Sequence, residues 1–409
     1  MTGPSPARDD LIHDWNTLEP VARPPHPIEF DDETLRDGLQ CPSVRTPTIE
    51  QKIRLLHLMS DLGLRYVNIG LPGAGPHVVK TVTRLAEEIR DQKLALEPNC
   101  AARTVEADIR PIAEIQQKTG VRIEASTFIG SSQIRAYVED WDLATMLKHS
   151  VAALKFAAKE GLQVMFVTED TSRAHPKTLE ALYGAALEHG AMRLCFCDTC
   201  GHATPAGVRR LVGFVREIVD SLGADVGIDW HGHRDRGLGL VNTITALEAG
   251  ATRVHATALG VGERTGNTEM DLLLVNLKLS GLIDNDLSRL GEYCRVASEA
   301  VGIPIPPNYP VFGKDAFETA MGVHAAAVIK VFRKGDAWLA NRVYSGVPAD
   351  LFGLEQVIAV GPMSRRSNVT WFLEKRGIKP TDVQVQRVLD LAKKTPRLLT
   401  EDEILQAVK

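Results

Sequence analysis

The sequence predicts an α/β protein built on a (β/α)₈ TIM barrel and followed by a mainly helical C-terminal region. Eight short β-rich runs recur over the first two thirds of the chain. Between them lie helix-like stretches whose apolar residues return every three or four positions and which often end in glycine. Eight successive βα units fit a closed parallel barrel better than an open doubly wound sheet, which typically has fewer strands and a dinucleotide-binding fingerprint after the first.

The positions of these runs set the expected division of the chain. The runs lie at residues 28–30, 65–70, 94–99, 121–127, 162–169, 192–198, 225–233 and 252–260. Beyond them the alternation stops and a more helical sequence follows. We therefore expect an N-terminal arm over residues 1–27, the barrel over 28–285, a helical linker subdomain over 286–349 and a small helical subdomain over 350–409.

Composition excludes several classes of function. The net charge of −5 over 409 residues gives no basic field for nucleic acid, although it is compatible with a local patch for an anionic, nucleotide-bearing thioester. No apolar run is long enough for a signal peptide or for the roughly 20 residues of a membrane helix. The six cysteines are dispersed, which disfavours a disulfide framework. We expect a cytoplasmic protein with reduced cysteines and with neither nucleic acid nor membrane as a partner.

Polar clusters at the ends of the predicted strands are candidate sites, because barrel enzymes place their active sites there. The first cluster follows the first strand and comprises Asp31, Asp32, Glu33, Arg36, Asp37 and Gln40. So many polar residues are compatible with a buried part of a strand or helix only if their side chains converge on a charged ligand. The alternative is a solvated loop in which the arginine pairs with a neighbouring carboxylate.

The second cluster is the sequence HGH at the end of the seventh strand. Side chains alternate across a strand, so His231 and His233 point the same way, as two imidazoles that bind one cation must. Such a pair is also compatible with core or loop histidines. Joined to Asp37 from the first strand, the pair forms an Asp plus two His metal site with open coordination positions.

Two further features have weaker signals. The loop GVGERTGN at 260–267 contains three glycines whose backbone N–H groups could face an anion, with Glu263, Arg264 and Asn267 as polar tips. The sequence CDTC at 197–200 resembles a redox or zinc motif, but no second CxxC exists. Strand alternation instead places Cys195 and Cys197 on one face of a buried strand.

Three of these sequences resemble the signatures of a known family. TLRDGLQ, HGH followed by RDRGLGLVNTITALEAGA, and GVGERTGN are similar to the motifs of the metal-dependent TIM-barrel acyl-CoA synthases and lyases. That family contains 2-isopropylmalate, homocitrate and citramalate synthases and hydroxymethylglutaryl-CoA lyase. The likeness covers about residues 28–375 and does not include a leucine regulatory domain. The GERTGN ending and the segment 306–330 resemble the condensing synthases, whereas the lyase branch carries a cysteine in that loop.

The resemblance implies a metal site. Asp37, His231 and His233 would hold a divalent cation, with Asn267 as a further ligand, directly or through water. Oxygen and nitrogen ligands suit Mg²⁺, Mn²⁺ and Zn²⁺ alike.

The resemblance also implies the catalytic groups. Arg36 would stabilise the enolate oxygen of the acetyl group. Glu169 would orient His324, which with Tyr344 would reach into the barrel mouth of a neighbouring subunit of a homodimer and remove the methyl proton. Ordinary helix packing is the alternative for His324 and Tyr344.

The expected substrate contacts come from Arg36, Gln40, Thr199 and Arg234, with Thr199 touching the carboxylate of the 2-oxo acid. The family usually has Asn-Asp and then Gly-Leu-Ala after the second histidine, where this sequence has residues 234–239, RDRGLG. The two arginines there either recruit an extra negative charge on the substrate or pair with neighbouring acids. GPMSRRSN at 361–368 also departs from the family pattern, so the motifs do not identify the 2-oxo acid.

The implied reaction is a Claisen condensation of acetyl-CoA with a small 2-oxo acid. Hydrolysis of the thioester then gives CoA and a 2-alkylmalate or homocitrate-like product. One alternative is a metal-dependent carbon–carbon lyase of the same family. A non-catalytic barrel is a third, which the intact Arg36, Asp37, His231, His233 and Asn267 disfavour.

Overall fold

Eight parallel strands close into a barrel in the computed structural model, which describes residues 11–17, 24 and 26–409. The strands are β1 (Glu29–Asp32), β2 (Tyr66–Asn68), β3 (Glu97–Arg103), β4 (Glu124–Gly130), β5 (Val164–Glu169), β6 (Arg193–Asp198), β7 (Gly227–Gly232) and β8 (Arg253–Ala256). They pair in chain order, and β1 pairs in parallel with β8. The predicted barrel is therefore confirmed. Most of the predicted N-terminal arm, residues 1–10, 18–23 and 25, lies outside the described residues.

Helices alternate with the strands, as the apolar periodicity predicts. Those before β8 are α1 (Ile49–Asp61), α2 (Pro76–Asp91), α3 (Glu106–Thr119), α4 (Gln133–Val138), α5 (Leu143–Lys159), α6 (Pro176–Glu188), α7 (Pro205–Ser221) and α8 (Gly239–Glu248). Those after it are α9 (Met270–Leu279), α10 (Leu290–Val301), α11 (Gly322–Arg333), α12 (Ala337–Ala340), α13 (Arg366–Glu374), α14 (Asp382–Lys394) and α15 (Glu401–Ala407). Proline opens α2, α6 and α7, where its missing N–H costs nothing. None of the described helices combines the length and apolar composition needed to cross a membrane.

The chain divides into two compact units. The first joins the residues up to 42 with 64–284 and contains the barrel, and the second joins 43–63 with 285–409. Helix α1 thus groups with the C-terminal helices, although it lies between β1 and β2 in the sequence. The subdomain boundaries that the sequence predicted at residues 286 and 350 did not group α1 with the C-terminal helices. These boundaries stay predictions.

Two packing regions stand out in the second unit. Helices α1 and α10 are joined by ion pairs of Arg54 with Glu292 and of Arg289 with Asp61. Helices α13, α14 and α15 share an apolar core that comprises Val369, Leu373, Val385, Val388, Leu389, Ala392 and Ile404. A two-stranded parallel sheet of β9 (Glu318–Thr319) and β10 (Val357–Ile358) completes the unit.

Charged side chains fill the barrel interior near the start of its strands. The fully buried Arg253 on β8 contacts Asp229 at 2.5 Å and Glu124 at 2.6 Å. Arg193 on β6 contacts Asp229 at 2.8 Å and Glu29 at 3.0 Å. Burial opposes a charged guanidinium, but these carboxylates outweigh it and hold the pKa of Arg253 above its usual value. The interior at this end is therefore held by paired charges.

Replacing Arg253 with methionine should lower the free energy of unfolding by about 3–5 kcal/mol, because it removes one partner of the buried Asp229 and breaks the ion pair of the partly buried Glu124. The substitution keeps an unbranched side chain but deprives Asp229 and Glu124 of the guanidinium. The guanidinium chloride unfolding midpoint, followed by circular dichroism, measures the loss. Arg209→Met is the matched control, since it breaks an exposed ion pair with Glu248 and should cost at most about 1 kcal/mol. Equal losses in the two variants would contradict the prediction.

Candidate active site

A cavity opens at the carboxyl ends of the barrel strands, where the fold predicts an active site. Its volume is about 710 Å³, including space open to solvent. The polar residues that line it are Glu33, Arg36, Asp37, Gln40, Asn68, Ser126, Glu169, Thr199, His231, His233, His255 and Glu263. The second cluster therefore meets four members of the first, Glu33, Arg36, Asp37 and Gln40, in one place, whereas Asp31 and Asp32 do not line the cavity.

Two imidazole nitrogens and one carboxylate oxygen face one another inside this cavity. His231 and His233 point the same way from β7 and the residues that follow it, and their Nε2 atoms lie 3.2 Å apart. Asp37 Oδ2 lies 3.4 Å from Nε2 of His231 and 3.5 Å from Nε2 of His233. Ligands held about 2.1 Å from one divalent ion, in octahedral or tetrahedral arrangement, lie about 3.0–3.4 Å apart. The three atoms have the spacing of metal ligands.

Unsatisfied polar atoms support the same conclusion. Asp37 Oδ2 and Asn267 Oδ1 are buried and have no hydrogen-bond partner in the part of the chain that the structure describes. Asn267 pairs with His233 through an isolated β-bridge. A buried acceptor without a partner costs about 1–3 kcal/mol. A cation at this position would offset that cost, so the residues present fit a metal ion.

The protonation of two of these groups, Asp37 and His233, also suits a metal. Burial acts to raise the pKa of Asp37, but the Arg36 guanidinium and then His231 outweigh it and hold that pKa far below its usual range. Burial, reinforced by the charge of His231, lowers the pKa of His233 to about 4. At neutral pH the carboxylate is therefore ionised and the His233 imidazole is neutral, which are the forms that bind metal ions. Burial acts to lower the pKa of His231, but the neighbouring Asp37 carboxylate outweighs it and raises that pKa, so metal binding would release a proton from this imidazole.

Glu33 supports the site from behind. Its Oε1 lies 2.8 Å from Nδ1 of His255 and 3.6 Å from Nδ1 of His231, and its Oε2 forms an ion pair with Arg36. Glu33, His231 and His255 form a second group that could hold a metal. We favour the Asp37 group, because Glu33 Oε1 is already hydrogen-bonded to His255. A carboxylate behind a ligating imidazole typically fixes its orientation.

His255 is a buried site residue that the sequence interpretation missed. Its Nε2 lies 3.1 Å from Asp229 Oδ2, so it joins the interior ion pairs to Glu33. A signal was available, because His255 is two residues after Arg253 on β8 and therefore points to the same side of the strand.

The predicted substrate-binding residues separate into two groups. Gln40 and Thr199 line the cavity, as do the predicted catalytic residues Arg36 and Glu169. Arg234 is not among the lining residues. Its Nε donates to the carbonyl of Thr265 at 2.8 Å, and its Nη1 forms an ion pair with Glu269. The structure thus favours the second of the two interpretations offered for this arginine, in which it pairs with a neighbouring acid.

The glycine-rich loop at 260–267 folds back on itself. The N–H groups of Gly260, Gly266 and Asn267 donate to carbonyls within or beside the loop, so they are not available to an anion. Gly260 and Gly266 have φ values of 65° and 104°, and a Cβ on Gly266 would lie 1.9 Å from the Gly260 carbonyl oxygen. The loop requires glycine at these positions to carry Asn267 beside His233.

The remaining predicted catalytic residues lie in the second unit. The rings of His324 and Tyr344 stack with centroids 4.1 Å apart, and both side chains are exposed. Their contact is an observation on this unit by itself, and their catalytic roles stay predictions.

Most of the chain is similar to a known family of proteins. A family model described as HMGL-like matches residues 27–297. The homocitrate synthase AksA of Methanopyrus kandleri is 32% identical, over 89% of this chain and 87% of that protein. A protein of the same organism described as a probable 2-isopropylmalate synthase is 30% identical, over 89% of this chain and 69% of its own length. The hydroxymethylglutaryl-CoA lyase from Pseudomonas aeruginosa matches 68% of this chain and 93% of its own with a TM-score of 0.57, but its 20% identity establishes the fold alone.

Replacing Glu33 with glutamine should weaken metal binding by about 10–100-fold, because the variant loses the charge that orients His231. Titration of the metal-free protein with Mn²⁺ against a competing fluorescent chelator measures the dissociation constant. Glu97→Gln is the control, since Glu97 is exposed and pairs with Arg65 at the opposite end of the barrel. A dissociation constant unchanged from wild type would contradict the supporting role of Glu33.

Replacing Glu169 with glutamine should stabilise the protein at neutral pH. Burial raises the pKa of Glu169, and the opposing effects of Arg135 and Arg36 do not cancel the shift. The folded state therefore bears a cost for the ionised carboxylate at pH values above its raised pKa, and this cost fades as the pH falls from that pKa to the unfolded value of 4.5. Unfolding midpoints at about pH 7.5 and pH 4 measure the difference. The exposed Glu114→Gln is the control, and a gain that grows on acidification would contradict the prediction.

Proposed function

Because the chain belongs to the HMGL-like family, we propose that it condenses acetyl-CoA with a small 2-oxo acid and then hydrolyses the thioester. The products are CoA and a 2-alkylmalate or homocitrate-like acid. Relatives named homocitrate synthase and 2-isopropylmalate synthase support condensation. We further propose that the protein acts in the cytoplasm as a homodimer.

The observation that carries the proposal is the set of facing Nε2 and Oδ2 atoms on His231, His233 and Asp37. A divalent ion held there, with Asn267 as a further ligand, would supply Lewis-acid polarisation of the 2-oxo carbonyl. Mg²⁺, Mn²⁺ and Zn²⁺ all suit this set of donors.

Arg36 is the candidate for stabilising the enolate of acetyl-CoA. Its Nη1 lies 3.7 Å from Asp37 Oδ1, and its ion pair with Glu33 restrains the guanidinium. Its buried Nε has no hydrogen-bond partner among the described residues. A preorganised cationic donor of this kind favours the charge that develops on the thioester oxygen. Gln40 and Thr199, which line the same cavity, would bind the 2-oxo acid.

His324 is the proposed base that removes the methyl proton. A histidine suits this step because its neutral imidazole is the side chain most often used to take up a proton in a reaction. Its stacking on Tyr344 supports the two rings acting as one group. Following the family resemblance, we assign the pair to the barrel mouth of the neighbouring subunit, with Glu169 of that barrel orienting the imidazole.

A carbon–carbon lyase on the same site is the second candidate. The loop after β8 has no cysteine, whereas the lyases that the chain resembles carry one there. Release of thiol from acetyl-CoA that depends on a 2-oxo acid separates the two reactions, because a lyase does not consume acetyl-CoA in its forward direction.

Replacing Arg36 with glutamine should lower kcat for CoA release by at least about 10²–10³, because one preorganised donor typically contributes that much. The assay follows free thiol with acetyl-CoA and a panel of 2-oxo acids, and a chelator should abolish the activity. Arg65→Gln is the control, because Arg65 is exposed and pairs with Glu97 at the other end of the barrel. Turnover of the Arg36 variant within a few-fold of wild type would refute its role.

A further inference from the structure

The cavity has two chemically different walls. The metal-ligand side comes from β1, β7, β8 and their following loops. A second wall comes from β4, β5 and β6: β4 and β5 lie opposite β8 and β1, because strands four places apart in an eight-stranded barrel face each other, whereas β6 adjoins β7 and pairs Cys197 with His231. This apolar wall is a packed cluster of Phe128, Met165, Val167, Cys195 and Cys197, all of which line the cavity.

The charges of the cavity are unbalanced. Four carboxylates line it, those of Glu33, Asp37, Glu169 and Glu263. Among the described lining residues, Arg36 is the sole lysine or arginine, and its guanidinium is already paired with Glu33.

The arginines around the cavity have partners of their own. Arg234 is paired with Glu269, Arg264 with Asp235 and Arg135 with Glu139. A second carboxylate on the substrate would therefore lie against thiols, a thioether and an aromatic ring, with Glu169 nearby and with no lysine or arginine besides Arg36 among the lining residues that the structure describes. Burial of an unpaired charge in such surroundings is strongly unfavourable.

We propose that the 2-oxo acid used by this protein has an uncharged, apolar side chain, which packs against the apolar wall of Phe128, Met165, Val167, Cys195 and Cys197. The substrate class is thus an alkyl or aryl 2-oxo monocarboxylate and not a 2-oxo dicarboxylate. This inference rests on the proposed function and adds the chemical class of the substrate's side chain. The relatives leave that class open, because they are named as different synthases.

One residue of the apolar wall limits the length of the substrate's side chain. Cys195 and Cys197 are small, whereas the half-buried Phe128 contributes the one ring of the cluster. Removing that ring should admit longer side chains. One methylene in an apolar pocket changes specificity by about 10–200-fold.

The first experiment measures kcat/KM for CoA release with 2-oxoisovalerate, 4-methyl-2-oxopentanoate and phenylpyruvate against oxaloacetate and 2-oxoglutarate. We expect the best apolar acid to exceed both dicarboxylates by at least about 100-fold. A dicarboxylate that equals or exceeds the apolar acids overturns the inference but leaves the condensation intact.

Calorimetric binding of the same acids to the Mn²⁺-loaded protein, without acetyl-CoA, separates the two proposals. If no acid releases CoA, the proposed function fails, and the binding data still test the apolar wall. Tighter binding of the apolar acids than of the dicarboxylates supports the assignment of the apolar wall to the substrate's side chain. Tighter binding of the dicarboxylates, or binding of none of the acids, overturns it.

The Phe128→Ala variant should raise the ratio of kcat/KM for 2-oxooctanoate over 2-oxoisovalerate by at least about 10-fold. Phe156→Ala, which removes a half-buried ring from α5 outside the cavity, is the matched control and should leave the ratio unchanged. Should Phe128→Ala not fold, Val167→Ala enlarges the same wall and should move the ratio in the same direction. An unchanged ratio in a folded wall variant contradicts the assignment of this wall.

Discussion

A line of buried ion pairs and hydrogen bonds runs through the barrel interior, from Arg253 through Asp229 and His255 to Glu33. It begins where the strands begin and ends at the cavity where they end. Buried charges are tolerated only when they are paired, so the position of each member depends on its neighbours. The last member, Glu33, contacts Arg36. The same interactions therefore hold the interior of the barrel and position the groups assigned to chemistry.

The parts of this molecule that depend on periodicity were predictable from the sequence. The alternation of β-rich runs with helical periods predicted the eight strands, and the alternation of side chains along β7 predicted that His231 and His233 face one cavity. Asp37 could be added because β1 and β7 both adjoin β8 in a closed barrel. Local pattern and barrel topology together were sufficient for this part of the site.

The sequence did not predict which distant residue each charged side chain contacts. Arg234 lies next to the metal-ligand pair in sequence, yet Glu269 is close enough to take its guanidinium away from the cavity. Glu33 was noticed only as one member of a polar cluster, since nothing local reveals that His255 lies against it. The grouping of α1 with the C-terminal helices depends on ion pairs between residues more than 200 positions apart.

The loop after β8 limits how this site can diverge. A Cβ at Gly262 would lie 2.2 Å from the Asn267 amide, and the turn at Gly266 has no room for a side chain either. Of the three residues between these glycines, Arg264 is held by its ion pair with Asp235 and by a φ of 57°, so Glu263, which lines the cavity, and the exposed Thr265 are the side chains left to vary. Natural drift and directed evolution alike would therefore remodel this part of the rim by exchanging the two side chains on either side of Arg264 on an unchanged backbone.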